Sequence, residues 1–274
     1  MRRSRHQERI PKAERRRPEG SGLRKAIAVS PAVAVIIVGA LVGAFLLLDR
    51  GGESSPPGPK TAAIVDQLSL TQPNPTFVAS ATDILHEAGY TVHYFPGEQV
   101  TVDFYRNLPR RDYDLVVLRV HSGRVLDQGS KTDDVILFTS EPYDTARYDK
   151  DQRTGRVGWA RYYEDASPLF GILPKFIEES MRGNFDDTLI VMMGCDGLRS
   201  QRMAQAFLDK GANAFVSWSR PVSAAHTDTT TERLLGNLLL DGLTAARAVT
   251  RTSAEMGSDP LYGAELRFLV DSDD

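Results

Sequence analysis

The sequence predicts an α/β protein with an open, mostly parallel sheet and helices on both faces, preceded by one transmembrane helix. Short apolar segments alternate with segments whose apolar residues recur at helical spacing, a pattern typical of parallel sheets. The segment 115–120, LVVLRV, is aliphatic at five of its six positions, as expected of a strand covered on both faces. A separate run of 23 uncharged residues lies near the N-terminus. We therefore expect a membrane anchor followed by one folded domain.

The uncharged run at 26–48 is long enough to span a membrane. At about 1.5 Å per residue, a helix of this length measures roughly 34 Å, which exceeds a hydrocarbon core of about 30 Å. The apolar region of a cleaved signal peptide has only about 7–15 residues, so an uncleaved anchor is expected. Gly39 and Gly43 form a GxxxG pair that could seat a helix dimer, but such a pair is also common by chance in an apolar run rich in small residues, so a homodimer is left open.

Positive charge is concentrated before this run. Residues 1–25 contain ten Lys or Arg and three Glu, whereas the whole chain has 33 basic and 36 acidic residues and a net charge of −3. Because positively charged flanks stay in the cytoplasm, we expect a single-pass protein of the cell membrane with a cytoplasmic tail and an extracytoplasmic body. A basic tail beside a span indicates contact with anionic lipid, and no nucleic-acid partner is expected.

A linker connects the span to the folded domain. Residues 49–60 are rich in Gly, Ser and Pro, a composition typical of a tether that is flexible at its Gly/Ser start and stiffer at its prolines. The folded domain is expected at 61–274 and is of a length that one domain can reach.

The first half of this domain predicts strand, helix and strand in turn. Short apolar segments predict strands at 62–70, 91–95, 113–123 and 134–142. Between the first two, residues 76–88 have apolar positions at helical spacing and are followed by Gly89 as a C-cap, so a helix is predicted there. A short helix is also expected after Thr101.

The second half begins with a polar and aromatic segment, 143–165, which predicts a hairpin or flap that could cover a cleft. Apolar segments predict further strands at 189–193, 212–218 and 264–270. Helical spacing predicts helices at 170–182, 198–210, 229–241 and 244–256. In open α/β sheets the functional residues lie at the carboxyl ends of the strands.

Two of the predicted strands end in residues with reactive side chains. His121 follows one strand, and Cys195, the only cysteine of the chain, follows another. If these strands are parallel neighbours, they lie about 4.8 Å apart and both side chains reach the same edge. An imidazole lowers the pKa of a nearby thiol and can later protonate a leaving amine. This pattern predicts Cys195 as a nucleophile and His121 as its general base and acid.

The same residues also have a structural interpretation. A lone Cys in an apolar strand is commonly a small buried hydrophobe, which would fit an unrelated flavodoxin-like receiver or ligand-binding domain. His86, His93 and His226 lack the spacing of metal ligands. No glycine-rich phosphate loop follows a strand, so we expect neither a metal nor a cofactor.

The segments LRVHSG and IVMMGCDG resemble the caspase-like fold of cysteine peptidases, which includes caspases, gingipains, legumain, separase and the CHAT domains. The resemblance covers roughly 61–270, and GANAFVSWSRPVS is similar to the CHAT-type segment after the nucleophile strand. It implies a three-layer sandwich and a membrane-anchored cysteine endopeptidase that acts on a protein or peptide substrate. The alternative is a catalytically inactive caspase-like or CHAT-like domain that serves as a tethered binding or scaffolding module.

The resemblance also implies roles for residues around the Cys195 and His121 dyad. The expected oxyanion hole involves Ser122, Gly123 and Gly194, and the expected substrate-binding residues are Asp196, Trp218, Ser219 and Arg220. Asp196 would favour a basic substrate side chain and Arg220 an acidic one, and the sequence leaves this choice open. The separation of 74 residues between the dyad members exceeds the roughly 50 typical of caspases, and the segment 143–165 accounts for the extra length.

Overall fold

The computed structural model describes residues 58–125 and 133–270. The predicted basic tail and membrane span lie outside the described residues, so both stay predictions. Within the part of the chain that the structure describes, no helix is both long and apolar enough to cross a membrane.

The main element of the domain is a six-stranded sheet. Its strands are β1 (Thr61–Asp66), β2 (Thr91–Pro96), β3 (Leu115–Arg119), β8 (Thr188–Met192), β9 (Ala212–Trp218) and β10 (Leu266–Val270). Their order across the sheet is β2-β1-β3-β8-β9-β10, and every neighbouring pair is parallel except β9 with β10. The predicted open, mostly parallel sheet is therefore confirmed.

Helices cover both faces of this sheet, as predicted. Because successive side chains of a strand point to opposite faces, Ile64 and Val117 pack into one core cluster while Val65 and Leu118 pack into another. The first face carries α1 (Pro75–Glu87), α6 (Ala224–Leu235) and α7 (Ala245–Met256). The second face carries α2 (Val102–Asn107), α4 (Pro174–Ser180) and α5 (Arg202–Asp209).

A second sheet, which the sequence did not predict, has four antiparallel strands. They are β4 (Ser122–Arg124), β5 (Val135–Pro142), β6 (Val157–Ala160) and β7 (Leu169–Ile172). The prediction of a helix at 170–182 was therefore wrong at its start. A short apolar run is compatible with a strand or a helix, and Leu173 is extended before Pro174, so the helix begins only at that proline.

The segment 143–165, predicted as a hairpin or flap, is built into the folded domain. It contains the short helix α3 (Asp149–Arg153) and strand β6. Asp151 forms ion pairs of 2.8 Å with Arg106 and of 2.8 Å with Arg156, and all three side chains are largely buried. The Ser180 hydroxyl donates to Asp151 at 3.2 Å. These contacts attach α3 to α2 and α4.

Candidate active site

His121 and Cys195 follow neighbouring strands of the main sheet. Strand β3 pairs with β8 in parallel, with Leu118 opposite Met192. His121 comes just after the end of β3 and Cys195 just after the end of β8, so both emerge at the carboxyl edge of the sheet. Both line one pocket of about 360 Å³. The structure thus brings together the two residues that the sequence pattern singled out.

The chain turns sharply around Cys195. At Gly194, an added Cβ would lie 2.6 Å from the carbonyl oxygen of Val120 and against the hydroxyl of Ser122, so only glycine fits there. Asp196 adopts the left-handed backbone conformation with φ 61°, in which aspartate is among the better-tolerated residues. This turn ends the apolar strand and directs the thiol into the pocket.

The thiol of Cys195 is partly buried and hydrogen-bonded to backbone. Its Sγ accepts from the amide of Val222 at 3.4 Å and donates to the carbonyl oxygen of the same residue at 3.7 Å. Burial raises the pKa of the thiol, the carboxylates of Asp196 and Asp259 raise it further, and the Val222 amide opposes them. The thiol is therefore protonated at neutral pH.

The imidazole of His121 contacts one polar and one aromatic side chain, and its backbone is held by a third residue. Its Nε2 lies 2.7 Å from Oγ1 of Thr71, and its ring centroid is 4.7 Å from that of Tyr162. Its backbone amide donates to Gln67 Oε1 at 2.9 Å. Burial lowers the pKa of His121 to about 4, and the positive charge of Arg119 acts in the same direction. The imidazole is therefore neutral at pH 7.

The pair is not a thiolate–imidazolium ion pair in this conformation. Among the described residues, no hydrogen bond joins the thiol of Cys195 to His121, and Nδ1 of His121 has no hydrogen-bond partner there. Catalytic hydrogen bonds are often long in unliganded sites and shorten when substrate binds. The site therefore holds a neutral thiol and a neutral imidazole that line the same pocket.

Ser122 connects the two loops that carry the dyad. Its hydroxyl donates to the carbonyl oxygen of Cys195 at 2.6 Å. Gly123 lies in β4, where it pairs with Ile136 of the second sheet. Of the three residues expected in an oxyanion hole, Gly194 lines the pocket, whereas Ser122 and Gly123 do not.

Arg119 is a buried residue near the site that the sequence analysis missed. Its side chain is fully buried and forms ion pairs of 2.7 Å with Asp66 and of 2.8 Å with Asp228. It also donates to the carbonyl oxygen of Gln72 at 2.8 Å. The sequence feature that could have identified Arg119 is an arginine inside an aliphatic strand, because a buried charge requires partners of opposite charge. Those partners lie 53 and 109 residues away in sequence, which local patterns do not reveal.

Trp218 and Ser219 lie away from the pocket lining, although they were expected to contact substrate. Trp218 is 1% exposed in the core, and its indole donates to Oγ1 of Thr227 at 2.9 Å. Thr227 does line the pocket, so Trp218 supports the pocket from behind. Ser219 is buried, and its hydroxyl accepts from the amide of Glu265 at 3.0 Å. The position of a residue at the end of a strand does not reveal whether its side chain faces the pocket or the protein core.

Asp196 and Arg220 are also absent from the pocket lining. Asp196 is 4% exposed and lies 3.5 Å from the guanidinium of Arg199. Arg220 is exposed at the surface, and its carbonyl oxygen accepts from the amide of Asp196 at 3.1 Å. Neither charge is presented to a molecule in the pocket.

In comparisons with known proteins, no protein-family model and no curated protein matches the chain. The function of the chain is therefore inferred from the geometry of the pocket and the chemistry of its residues.

Proposed function

We propose that the chain is a cysteine endopeptidase of caspase-like fold, tethered to the cell membrane by residues 26–48 with its catalytic domain outside the cytoplasm. The observation that supports this function is that His121 and Cys195 line one pocket at the carboxyl ends of the adjacent parallel strands β3 and β8. The sheet of five parallel strands and one antiparallel edge strand, covered by helices on both faces, is compatible with the three-layer sandwich of that fold.

Peptide hydrolysis by this pair proceeds in two stages. In the first, Nδ1 of His121 takes the thiol proton while Sγ of Cys195 bonds to the substrate carbonyl carbon. The resulting imidazolium protonates the departing amine, the peptide C–N bond breaks, and a thioester remains. In the second stage, Nδ1 takes a proton from water as the water oxygen attacks the thioester, and that proton returns to the departing sulfur. A neutral imidazole and a neutral thiol are the starting states that this route requires.

Thr71 supports the assignment of Nδ1 as the base. If Nε2 of His121 carries the ring proton, it donates to the Thr71 hydroxyl at 2.7 Å and leaves Nδ1 as the proton acceptor. A base that is oriented by a third group is the usual arrangement around an activated nucleophile. Thr71 is therefore a positioning residue in this proposal.

A second candidate function is a catalytically inactive binding or scaffolding domain. It is favoured by the hydrogen bonds of the Cys195 thiol to the Val222 backbone and by the raised pKa of this thiol. A thiol in this state is a weak nucleophile. In the inactive domain, the pocket would hold a peptide without cleaving it.

The test is hydrolysis of a broad peptide library by the purified full-length chain in detergent, with products identified by mass spectrometry. The peptidase proposal expects cleavage by the native protein and none by Cys195→Ala or His121→Ala. Thr229→Val, a change at an exposed position of α6, is the matched control and should retain cleavage. If the native protein binds library peptides but cleaves none of them, the binding function replaces the peptidase.

A further inference from the structure

The pocket beside Cys195 has no Asp, Glu, Lys or Arg among the lining residues that the structure describes. Its apolar lining consists of Leu68, Val120, Met193, Val222, Ala224 and Ala225. The remaining lining residues, apart from Gly194 and the dyad, are polar but uncharged: Gln72, Ser223, Thr227 and Tyr262. His121 is also neutral at pH 7, because burial lowers its pKa to about 4. A charged side chain that entered this pocket would therefore lose water without gaining a partner of opposite charge.

The carboxylate of Asp228, which is buried behind the pocket, already accepts hydrogen bonds from other protein groups. Asp228 follows the lining residue Thr227, and its Oδ1 accepts from Arg119 at 2.8 Å. Its Oδ2 accepts from Arg119 at 2.8 Å and from Asn74 at 2.8 Å. Both oxygens are thus occupied, and Asp228 offers no open acceptor to a cationic substrate group.

The second nearby carboxylate, that of Asp259, is occupied in the same way. Its Oδ2 accepts from the hydroxyl of Ser223 at 2.6 Å and from the amide of that residue at 3.0 Å. Its Oδ1 accepts from the amides of Leu261 at 3.0 Å and Tyr262 at 2.7 Å. Asp259 therefore holds this loop in place instead of binding a ligand.

The loop held by Asp259 extends the apolar surface at the pocket mouth. Leu261 is 72% exposed and Tyr262 is 53% exposed, although both are large apolar or aromatic side chains. Tyr262 also lines the pocket itself. Exposed side chains of this kind beside a concave site are typical of surfaces that contact a ligand.

On the basis of the proposed function, we infer that the substrate residue whose carbonyl Cys195 attacks carries an uncharged side chain, such as that of leucine, methionine or glutamine, and that Tyr262 contacts it. The uncharged lining selects against acidic and basic side chains alike. A volume of about 360 Å³ is ample for a side chain of this size. The sequence left open whether Asp196 binds a basic substrate side chain or Arg220 an acidic one, and this inference assigns that role to neither residue.

The test uses peptidyl acyloxymethyl ketones that differ only at the residue bearing the electrophilic carbonyl, with Leu, Met, Gln, Asp or Arg at that position. The full-length chain in detergent is labelled at pH 7, and the rate of adduct formation at Cys195 is followed by intact-mass and peptide mass spectrometry. The Leu, Met and Gln probes should react on the order of tenfold faster than the Asp and Arg probes, because the latter bury an unpaired charge. Equal or faster labelling by the Asp or Arg probe would overturn the inference while leaving the peptidase intact. If no peptidyl probe labels Cys195 faster than a non-peptidyl electrophile does, the peptidase proposal is overturned, and the inference with it.

A designed charge in the lining provides the matched variant. Ala225→Asp places a carboxylate in the first turn of α6, where the helix dipole favours negative charge. Because Ala225 is exposed at the pocket rim, the Arg probe should then gain on the Leu probe by about threefold, the scale of a solvent-exposed ion pair. Thr229→Asp adds the same charge to an exposed position of the same helix outside the pocket lining, so the probe preference should stay that of the native protein. An unchanged preference in Ala225→Asp would show that the discriminating side chain binds elsewhere.

Discussion

The Nε2 atom of His121 lies 2.7 Å from the hydroxyl oxygen of Thr71. Thr71 follows the first strand and a short 3₁₀ turn, whereas His121 follows the third strand, so this contact joins two loops at the same edge of the sheet. It occupies one ring nitrogen and leaves the other available as a base. The neutral state of both dyad members depends on the burial that these loops create.

Replacing Thr71 by Val should slow hydrolysis of a cleavable peptide by roughly tenfold to a hundredfold, by analogy with the loss of groups that orient metal-binding histidines. The fall should appear in kcat, with KM little changed, because Thr71 acts through His121 and does not line the pocket. Thr71→Ser keeps the hydroxyl and should restore most of the rate. An unchanged kcat in Thr71→Val would remove this positioning role.

Alkylation of Cys195 by iodoacetamide should accelerate continuously from pH 6 to beyond pH 9, without a plateau near neutrality. The reason is that burial raises the pKa of the thiol, so the reactive thiolate accumulates only in alkaline solution. Mass spectrometry of the labelled protein measures the rate, and the urea-unfolded chain is the control and should react faster at each pH. A plateau of high reactivity below pH 7 would instead indicate a thiolate–imidazolium pair.

The stability of the domain should fall as the pH decreases from about 6.5 to about 4, in part because of His121. Its pKa in the folded state is lowered from 6.5 to about 4, so the folded state favours the neutral imidazole. This contribution to the unfolding free energy is fully present above the unfolded pKa of 6.5. It is lost as the pH falls through the folded pKa of about 4, for a total of roughly 3 kcal/mol.

Chemical unfolding of native protein and of His121→Gln at pH 7 and pH 4 measures this contribution. The loss of unfolding free energy between the two pH values should be smaller in His121→Gln than in the native protein. His86→Gln, at an exposed position of α1, should lose as much as the native protein does. Equal losses in native protein and His121→Gln would contradict the assignment.

Replacing Arg119 by Met should destabilise the domain by about 3–5 kcal/mol, because it leaves two buried carboxylates without their counter-ion. Arg124→Ala is the matched control, since Arg124 forms an ion pair of 2.8 Å with Asp133 at the surface and its loss should cost less than about 1 kcal/mol. Unfolding by urea measures both. Similar losses in the two variants would show that the buried cluster contributes no more than a surface pair.

Replacing Gly194 by Ala should destabilise the domain by roughly 1–3 kcal/mol, because overpacking forces the backbone to move. The added Cβ would lie 2.6 Å from the carbonyl oxygen of Val120, which is part of the backbone and cannot turn away. Gly123→Ala is the control, since a Cβ there meets nothing within 4 Å. Thermal unfolding should separate the two variants by several degrees, and equal melting temperatures would contradict the close approach at Gly194.

Local sequence patterns predicted the main sheet well because its central strands are buried on both faces. The aliphatic residues of β3 and β8 mark each strand without reference to any partner, and the residues that follow these strands mark the carboxyl edge. Of the second sheet, only β5 was predicted as a strand, at 134–142, because β4, β6 and β7 have only three or four residues each. A run of three or four apolar residues does not distinguish such a strand from the start of a helix.

The sequence by itself determined the succession of strands and helices along the chain and placed two reactive residues after strand ends. It also predicts a membrane anchor. Only the tertiary structure decided the protonation states of His121 and Cys195. It also decided that Trp218 and Asp196 do not line the pocket and that the pocket lining is uncharged. The physical reason is the range of the interactions. Periodicity and strand composition reflect neighbouring residues, whereas the hydrogen bonds between Thr71 and His121 and between Asn74 and Asp228 join residues 50 and 154 positions apart.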